Sequence, residues 1–204
     1  MRVKDKFFDV VPDRFGASSL KWSKYNTLDI LPLWVADMDF RSPQCVIDLA
    51  EEICADGNFG YGICPSGLYD VVISRTQELY DWSINQNWLI WLPGMVCGLN
   101  VTCRAFEKEA RQVITNTPVY PPFLSAPGNF GIASTRIPML LENDRFTIDF
   151  DKLNNLETQE GDLFMLCHPH NPVGTNFSRE ELVKLGEYII ERGLFICSDE
   201  IHCD

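Results

Sequence analysis

An apolar run, an amphipathic helix and a second apolar run follow one another in the last quarter of this sequence. The two runs are Leu163–Cys167 (LFMLC) and Leu194–Cys197 (LFIC), and both have the length of a buried strand. Ser178 and Glu181 between them have the spacing of a capping box, which begins a helix. Because strands joined by a crossover helix pair in parallel, this succession predicts an α/β fold with a mostly parallel sheet and flanking helices.

The same alternation is predicted earlier in the chain. Helices are expected to begin at Ser42-Pro43 and at Ser66, and a third is expected to carry Leu99 and Phe106 on one face. TPVYPPF (117–123) is predicted as a loop because of its prolines. The other predicted strands are 88–92 (WLIWL, buried), 112–115, 132–137 and a short segment at 146–149 in a hairpin or loop.

Composition and charge argue against several kinds of partner. The chain has 204 residues, 46% of them hydrophobic, which is enough for one sizeable core. Its net charge of -12 argues against a nucleic-acid partner and against an anionic membrane surface. The first residues contain no apolar signal region and no run has the length of a membrane span, so a cytoplasmic location is expected. The eight cysteines include no CxxC pair and are expected to be reduced, mostly buried thiols.

Three polar or glycine-containing segments directly follow predicted strands. They are PGMV (93–96), HPHNPVG (168–174) and SDEIH (198–202). In a parallel sheet the carboxyl ends of the strands meet at one edge, where ligands bind. We therefore expect these segments to converge, although they are far apart in the sequence.

Four residues in or near these segments each have a chemical interpretation and a purely structural one. The amides after Gly94 could bind a phosphate, or the glycine could simply form a turn. Tyr120 could stack on a flat ring or pack against its neighbouring prolines. Asn171 could hold a phenolic oxygen or form an ordinary Asn-Pro turn. Asp199 could pair with a protonated ring nitrogen or cap a helix, so none of the four decides a function alone.

Six strings of the sequence occur in the order that a known family has. They are LPLWVADMDF (31–40), FGYG (59–62), LPGMVCGLN (92–100), PVYPPF (118–123), HPHNPVG (168–174) and SDEIHCD (198–204). With these strings the chain resembles the class I/II aminotransferase superfamily of fold-type-I pyridoxal-phosphate (PLP) enzymes. Within it, the chain is similar to the MalY/PatB group of cystathionine β-lyases. WVADMDF and the DEIHxD ending are the more specific strings, since NPVG is common to the whole superfamily.

The resemblance implies PLP as the cofactor and gives the candidate residues their roles. Gly94, Met95 and Val96 would form the phosphate-binding turn, and Tyr120 would stack on the pyridine ring. Asn171 would hydrogen-bond the ring's 3-oxygen, Asp199 would keep the ring nitrogen protonated, and His202 would stand where many relatives have a tyrosine. Tyr61 would reach the phosphate of a neighbouring subunit. The implied cofactor-binding residues are Gly94, Met95, Val96, Tyr120, Asn171, Asp199, His202 and Tyr61.

The resemblance also implies a substrate site and a partner. Ala36 and Asp37 would line a pocket for a small-molecule amino-acid substrate. The full-length protein would be a homodimer, because the family's active site is shared between subunits. Neither a nucleic acid nor a membrane is implied as a partner.

By the same resemblance, the chain would be the N-terminal part of a longer enzyme. Residues 1–45 would be an irregular segment of the small domain and dimer arm, and 46–204 an incomplete large PLP-binding domain of the fold-type-I class. The family's Schiff-base lysine would lie beyond Asp204, since none of the seven lysines occupies its position. We therefore expect a truncated sheet, no catalytic residue in this chain and little or no activity from the 204 residues alone.

The function implied for the full-length protein is β-elimination from cystathionine or a cysteine-like amino acid, with pyruvate, ammonia and a thiol as products. An aminotransferase is the alternative, and His202 and WVADMDF favour the lyase. A non-catalytic or metal-binding remnant is the alternative of another class, because Cys167, His168 and His170 share one loop. Their spacing matches no common structural zinc pattern, so no metal is expected.

Overall fold

The computed structural model describes residues 8, 12–14, 18–25 and 29–203. The chain divides into two compact units, Met1–Asp70, which we call the first unit, and Val71–Asp204, the second unit. The expected domain boundary between residues 45 and 46 stays a prediction. Within the described residues, no helix combines the length and the apolarity that crossing a membrane requires.

The described residues of the first unit contain two α-helices and the start of a third. α1 spans Leu20–Ser23, α2 spans Gln44–Asp56 and α3 spans Ser66–Tyr80. The helices predicted near Ser42 and Ser66 are thus confirmed. Gly57 ends α2 with a φ of 68°, the left-handed conformation that glycine adopts without strain. The expected cap by Ser42 is wrong: Pro43 occupies the N-cap position without a side-chain bond, so Ser42 lies one residue too early.

The second unit alternates helices and strands. After a 3₁₀ turn at Gln86–Trp88, its elements are, in chain order, α4 (Met95–Ala105), β1 (Gln112–Thr117), α5 (Pro122–Asn129), β2 (Ala133–Pro138), β3 (Leu140–Glu142), β4 (Arg145–Thr147), α6 (Phe150–Asn154), β5 (Leu163–Cys167), α7 (Arg179–Glu191) and β6 (Phe195–Asp199). The main sheet has the order β2-β1-β5-β6, and all its pairings are parallel. β3 and β4 form a small antiparallel hairpin. The predicted α/β fold with a parallel sheet is confirmed.

The sheet separates two apolar clusters, because successive residues of a strand point to opposite faces. On one face, Val113 packs in a cluster with Leu99 of α4 and Phe123 of α5. On the other face, Ile114 packs in a cluster with Leu185 of α7. All five side chains are at most 1% exposed. Burial of each such side chain contributes roughly 1.5–3 kcal/mol to the free energy of unfolding.

A buried carboxylate joins the starts of β1 and β5. Asp162 is fully buried, and its Oδ1 accepts hydrogen bonds from the N–H groups of Arg111 (3.1 Å) and Gln112 (3.2 Å). Its Oδ2 accepts from the Gln112 side-chain amide (2.8 Å) and from the Gln159 N–H (3.0 Å). These bonds offset the cost of burying the charge and fix how the two strands begin. The sequence analysis missed Asp162 because a single aspartate before a strand has no periodic signal.

The prediction of a strand at 88–92 is wrong. Residues Gln86–Trp88 form the 3₁₀ turn, and 89–92 pair with no strand of the described chain. Trp88 and Ile90 are 64% and 80% exposed, so the apolar run is not buried either. A short apolar run specifies a buried strand only where neighbouring strands pair with it on both sides.

Two other predicted elements need a smaller correction. The last strand is present as β6, but among the described strands it lies at the edge of the sheet, so Phe195 and Ile196 are exposed rather than buried. The proline-rich loop ends sooner than predicted, because Pro122 already begins α5. Proline is tolerated in the first helical turn, where its missing N–H would have had no partner.

Candidate functional site

Asp199 ends β6 as a buried carboxylate beside the loop that follows β5. Cys167 and Asp199 are paired across the two strands, and the His168 N–H donates to the Asp199 carbonyl oxygen at 3.0 Å. The Asp199 residue is only 3% exposed. Its Oδ1 accepts one hydrogen bond, from the Ile201 N–H at 3.1 Å, as in an Asx turn. Within the described residues no cationic side chain forms a salt bridge with it.

Asn171 and Tyr120 are joined at the same edge of the sheet. The Tyr120 N–H donates to the Asn171 carbonyl oxygen at 3.0 Å, which links the loop after β1 to the loop after β5. The Asn171 N–H lies 3.4 Å from the Cys167 sulfur and donates to it. The Tyr120 side chain is 37% exposed, so its ring is accessible. The loops after β1, β5 and β6 therefore meet at this edge, as expected for the segments 168–174 and 198–202.

Gly94 forms the turn before α4. Its φ of 127° and ψ of 163° lie in a region that glycine alone adopts without strain, and a Cβ there would meet nothing within 4 Å. No side chain caps α4, and the first intrahelical bond runs from the Gly98 N–H to the Gly94 carbonyl oxygen. The N–H groups of Met95, Val96 and Cys97 therefore have no intrahelical acceptor, and such a helix start attracts an anion.

The body of α4 is attached to the sheet. Leu99 and Cys103 lie in the same apolar cluster as Cys167, and the Cys197 sulfur contacts the Thr102 hydroxyl at 3.7 Å. Hydrogen bonds between described residues connect Tyr120 to Asn171, and the loop after β5 to β6. The turn at 94–96 is connected to this edge through the packing of its helix.

Burial favours the neutral forms of the Cys167 and Cys197 thiols and of the His168 and His170 side chains near this edge. Burial raises the pKa of the Cys167 and Cys197 thiols, and the nearby Asp199 carboxylate also raises both. Burial lowers the pKa of His170 to about 4, and His168 adds to the effect. A protonated thiol is a poor metal ligand. Within the described residues, no group of three His, Cys, Asp or Glu side chains is placed to hold a metal ion.

All eight cysteines are free, as predicted, but most are not buried. Only Cys103 and Cys167, both against the sheet, are buried. Cys45 and Cys54 lie on α2, which has no buried residue, and are exposed. The prediction of mostly buried thiols is therefore wrong, because it took burial from residue type without knowing which helix faces are covered.

Four candidate residues take no part in the hydrogen bonds described above. His202 is exposed in the turn after β6. Ala36, Asp37 and Tyr61 belong to the first unit, where Ala36 and Tyr61 are exposed. The Asp37 carboxylate is paired with Arg14, a residue that the sequence analysis missed. The two are 23 positions apart, so no local pattern signals the pair. The roles of all four candidate residues stay predictions.

Comparisons with known proteins agree with the observed α/β fold. A model of the family "Aminotransferase class I and II" matches residues 29–204. The chain is 38% identical to cystathionine β-lyase PatB of Bacillus subtilis (strain 168), over 97% of this chain and 52% of that protein. The structure of OvoB is similar with a TM-score of 0.86 and 40% identity, over 94% of this chain and 50% of that one. A PLP-bound C-S lyase from Staphylococcus hominis is similar with a TM-score of 0.84 and 30% identity, over 96% of this chain and 51% of that one.

The chain spans about half the length of the curated relatives that it matches. The matched range includes the Gly94 turn, the Tyr120 and Asn171 loops and the end of β6. The parallel sheet, the polar edge and the family match over residues 29–204 together show that this chain belongs to the aminotransferase class I and II family.

Proposed function

We propose that the protein to which this chain belongs is a PLP-dependent carbon–sulfur β-lyase. Its substrate would be cystathionine or a cysteine-like amino acid, and its products pyruvate, ammonia and a thiol. The 38% identity to a cystathionine β-lyase and the structural similarity to a PLP-bound C-S lyase support this activity and this cofactor.

The observation that carries the proposal is that Asp199 is buried without a cationic partner among the described residues. A carboxylate with 3% exposure and a single hydrogen bond is costly unless a cation pairs with it, and no described side chain does so. A protonated pyridine nitrogen supplies that cation. When bound, PLP provides a sink for the negative charge that develops at the substrate's α-carbon. Asp199 keeps the ring nitrogen protonated by direct ion pairing, which strengthens that sink.

The other residues of this edge suit the rest of the same group. The unpaired N–H groups after Gly94 bind a phosphate at the positive end of α4. Asn171 offers both a donor and an acceptor for a phenolic oxygen, and the accessible ring of Tyr120 stacks on a flat heterocycle. We assign His202 to the neighbourhood of the same oxygen. The open space beside Gly94 leaves room for the phosphate.

An aminotransferase is the second candidate, since the family is named for that activity. Both reactions use the same electron sink, but only the lyase releases pyruvate from cystathionine without an added keto acid. The full-length protein is expected to do so. Pyruvate formation that depends on a keto acid would identify the aminotransferase instead.

Asp199→Asn in the full-length protein tests the role of Asp199. The amide cannot hold the ring nitrogen protonated, so we expect kcat to fall about a hundredfold or more, while PLP affinity changes less. Pyruvate release gives kcat, and titration of the apoenzyme followed by cofactor absorbance gives the affinity. Asp151→Asn, which changes an exposed aspartate on α6, is the matched control. Turnover in Asp199→Asn equal to that of the control contradicts the assignment.

We further propose the organisation of the whole protein. Residues 1–45 would belong to the small domain and dimer arm, and 46–204 to the large PLP-binding domain of a cytoplasmic homodimer in which Tyr61 serves the neighbouring subunit. Light scattering of the full-length protein measures its mass in solution. A monomer with full activity would contradict the shared site, and Tyr61→Phe should then leave PLP affinity unchanged.

A further inference from the structure

The turn at residues 35–39 of the first unit contains a backbone conformation that its sequence disfavours. Val35 has a φ of 57°, in the left-handed region that β-branched residues rarely adopt. Such a conformation persists only where the surrounding contacts over-determine it, and it often marks a functional position. Val35 directly precedes Ala36 and Asp37, the predicted substrate contacts.

Arg14 holds this turn through a forked pair of hydrogen bonds. Its Nη1 and Nη2 donate to Oδ1 and Oδ2 of Asp37, both at 2.9 Å. Nη1 also donates to the Met38 carbonyl oxygen at 3.2 Å and to Oδ1 of Asp39 at 3.3 Å. A planar guanidinium makes this two-point contact with a carboxylate, whereas a lysine ammonium cannot. Both oxygens of Asp37 are thereby engaged in the turn itself.

Lys21 and Trp22 hold the other side of the turn. Lys21 Nζ donates to the Asp37 carbonyl oxygen at 2.9 Å and to Oδ2 of Asp39 at 2.7 Å. Trp22 Nε1 donates to Oδ1 of Asp39 at 2.7 Å. Lys21 is only 7% exposed, which is rare for a lysine unless its charge is paired. The carbonyl oxygens of 37 and 38 and both carboxylates therefore accept from three side chains of the segment 14–22.

We propose that Arg14 and Lys21 are positioning residues, which hold the 35–39 turn in its strained form so that Ala36 meets the amino-acid substrate in one fixed geometry. The part of this inference that concerns the contact between Ala36 and the substrate rests on the proposed function. The Asp37 side chain then serves the turn rather than the substrate.

Arg14→Lys in the full-length holoenzyme tests the proposal, because it keeps the charge and removes the fork. The matched control is Arg41→Lys, an exposed arginine close to the turn with no hydrogen bond to a described residue. Hydrogen exchange of the peptide covering 35–39 reports on the turn. Pyruvate release from L-cystathionine gives KM and kcat separately. We expect exchange about tenfold faster and KM about tenfold higher in Arg14→Lys, with kcat and cofactor absorbance nearly unchanged. Arg41→Lys should match the wild type.

The two readouts separate failure of this inference from failure of the proposed function. Unchanged exchange at 35–39 in Arg14→Lys overturns the positioning role, and faster exchange with an unchanged KM overturns its link to the substrate. If the wild-type enzyme releases no pyruvate, the proposed function fails, but the exchange rates still decide whether Arg14 holds the turn. Asp37→Asn weakens the same fork with little change of shape, so it should show the same pattern at smaller size even if Arg14→Lys folds poorly.

Discussion

Proline apart, the buried hydrophobic side chains among the described residues all lie between Leu99 and Leu194, in the second unit. In the first unit, α2 has no buried residue, and the buried side chains include the polar Ser19 and Lys21. The second unit is thus organised by apolar packing on both faces of a sheet, and the first by directional bonds around one turn. Apolar packing tolerates small displacements, whereas a forked ion pair specifies one geometry.

The contrast shows that amphipathic spacing does not by itself bury a helix face. Val46, Leu49 and Ile53 have the spacing that predicted α2, yet they are 54%, 57% and 51% exposed. On α7, the same kind of spacing places Leu185 and Ile189 against the sheet, where they are 1% and 5% exposed. The difference is that α7 lies in the same unit as the sheet whose face it covers, whereas α2 does not.

The largest effect is expected from Phe164→Ala. Phe164 is fully buried in β5, and its removal leaves a cavity in the core of the second unit, so the free energy of unfolding should fall by about 3–5 kcal/mol. Chemical denaturation followed by circular dichroism measures it. Val183→Ala on the exposed face of α7 is the control. A loss below that of the control would mean that this core does not stabilise the unit.

Asp162→Ala sharpens the comparison because it removes the buried carboxylate that joins the starts of β1 and β5 in the same unit. Several N–H donors at the starts of β1 and β5 would lose their acceptor while buried, so we expect a loss of about 3 kcal/mol. The exposed Glu187→Ala serves as the control in the same denaturation experiment. A change no larger than that in Glu187→Ala would show that water replaces the carboxylate at no cost.

His170 gives the second unit a dependence on pH. Burial holds its pKa at about 4, below the 6.5 of an ordinary histidine, so the unfolded chain binds a proton more readily than the folded one. Stability from this group is complete above pH 6.5 and is lost as the pH falls towards 4, by up to ~3 kcal/mol. Denaturation curves across this range should show the loss, and His170→Leu should reduce it. An equal slope in the variant would assign the effect to other groups.

Ser178→Ala tests the capping box of α7. The Ser178 hydroxyl accepts from the Glu181 N–H at 3.2 Å, and its loss should lower the free energy of unfolding by about 1 kcal/mol. Ser178→Gly should cost less than the alanine variant, since glycine is a fair N-cap residue. The reverse order of the two variants would argue that helix flexibility, rather than the cap, determines the effect.

The smallest effect is expected from Leu49→Ala on α2. This side chain is 57% exposed, so truncation should change the free energy of unfolding of the 204-residue chain by less than ~0.5 kcal/mol. The same denaturation experiment measures it beside Phe164→Ala. A loss comparable to that of Phe164→Ala would break the comparison, because it would reveal apolar packing in the first unit.

Much of the second unit could be predicted from local sequence. The run LFMLC predicted β5, the capping box predicted the start of α7, and polar residues after strands predicted the edge at Asn171 and Asp199. The run WLIWL failed because the prediction of a strand assumed partners on both sides, and the described sheet places none there. Asp162 and Arg14 were missed because their partners are far away in the sequence.

The sequence by itself determined the alternation of strands and helices, the helix boundaries at Gly57 and Ser178, and the residue types at the polar edge. These follow from backbone preferences and periodicity, which act over a few residues. Only the tertiary structure decided which apolar faces are buried, that Asp199 is left without a cationic partner among the described residues, and that Arg14 and Lys21 enclose the turn at 35–39. Burial and pairing depend on contacts between distant segments, and a one-dimensional pattern does not contain those contacts.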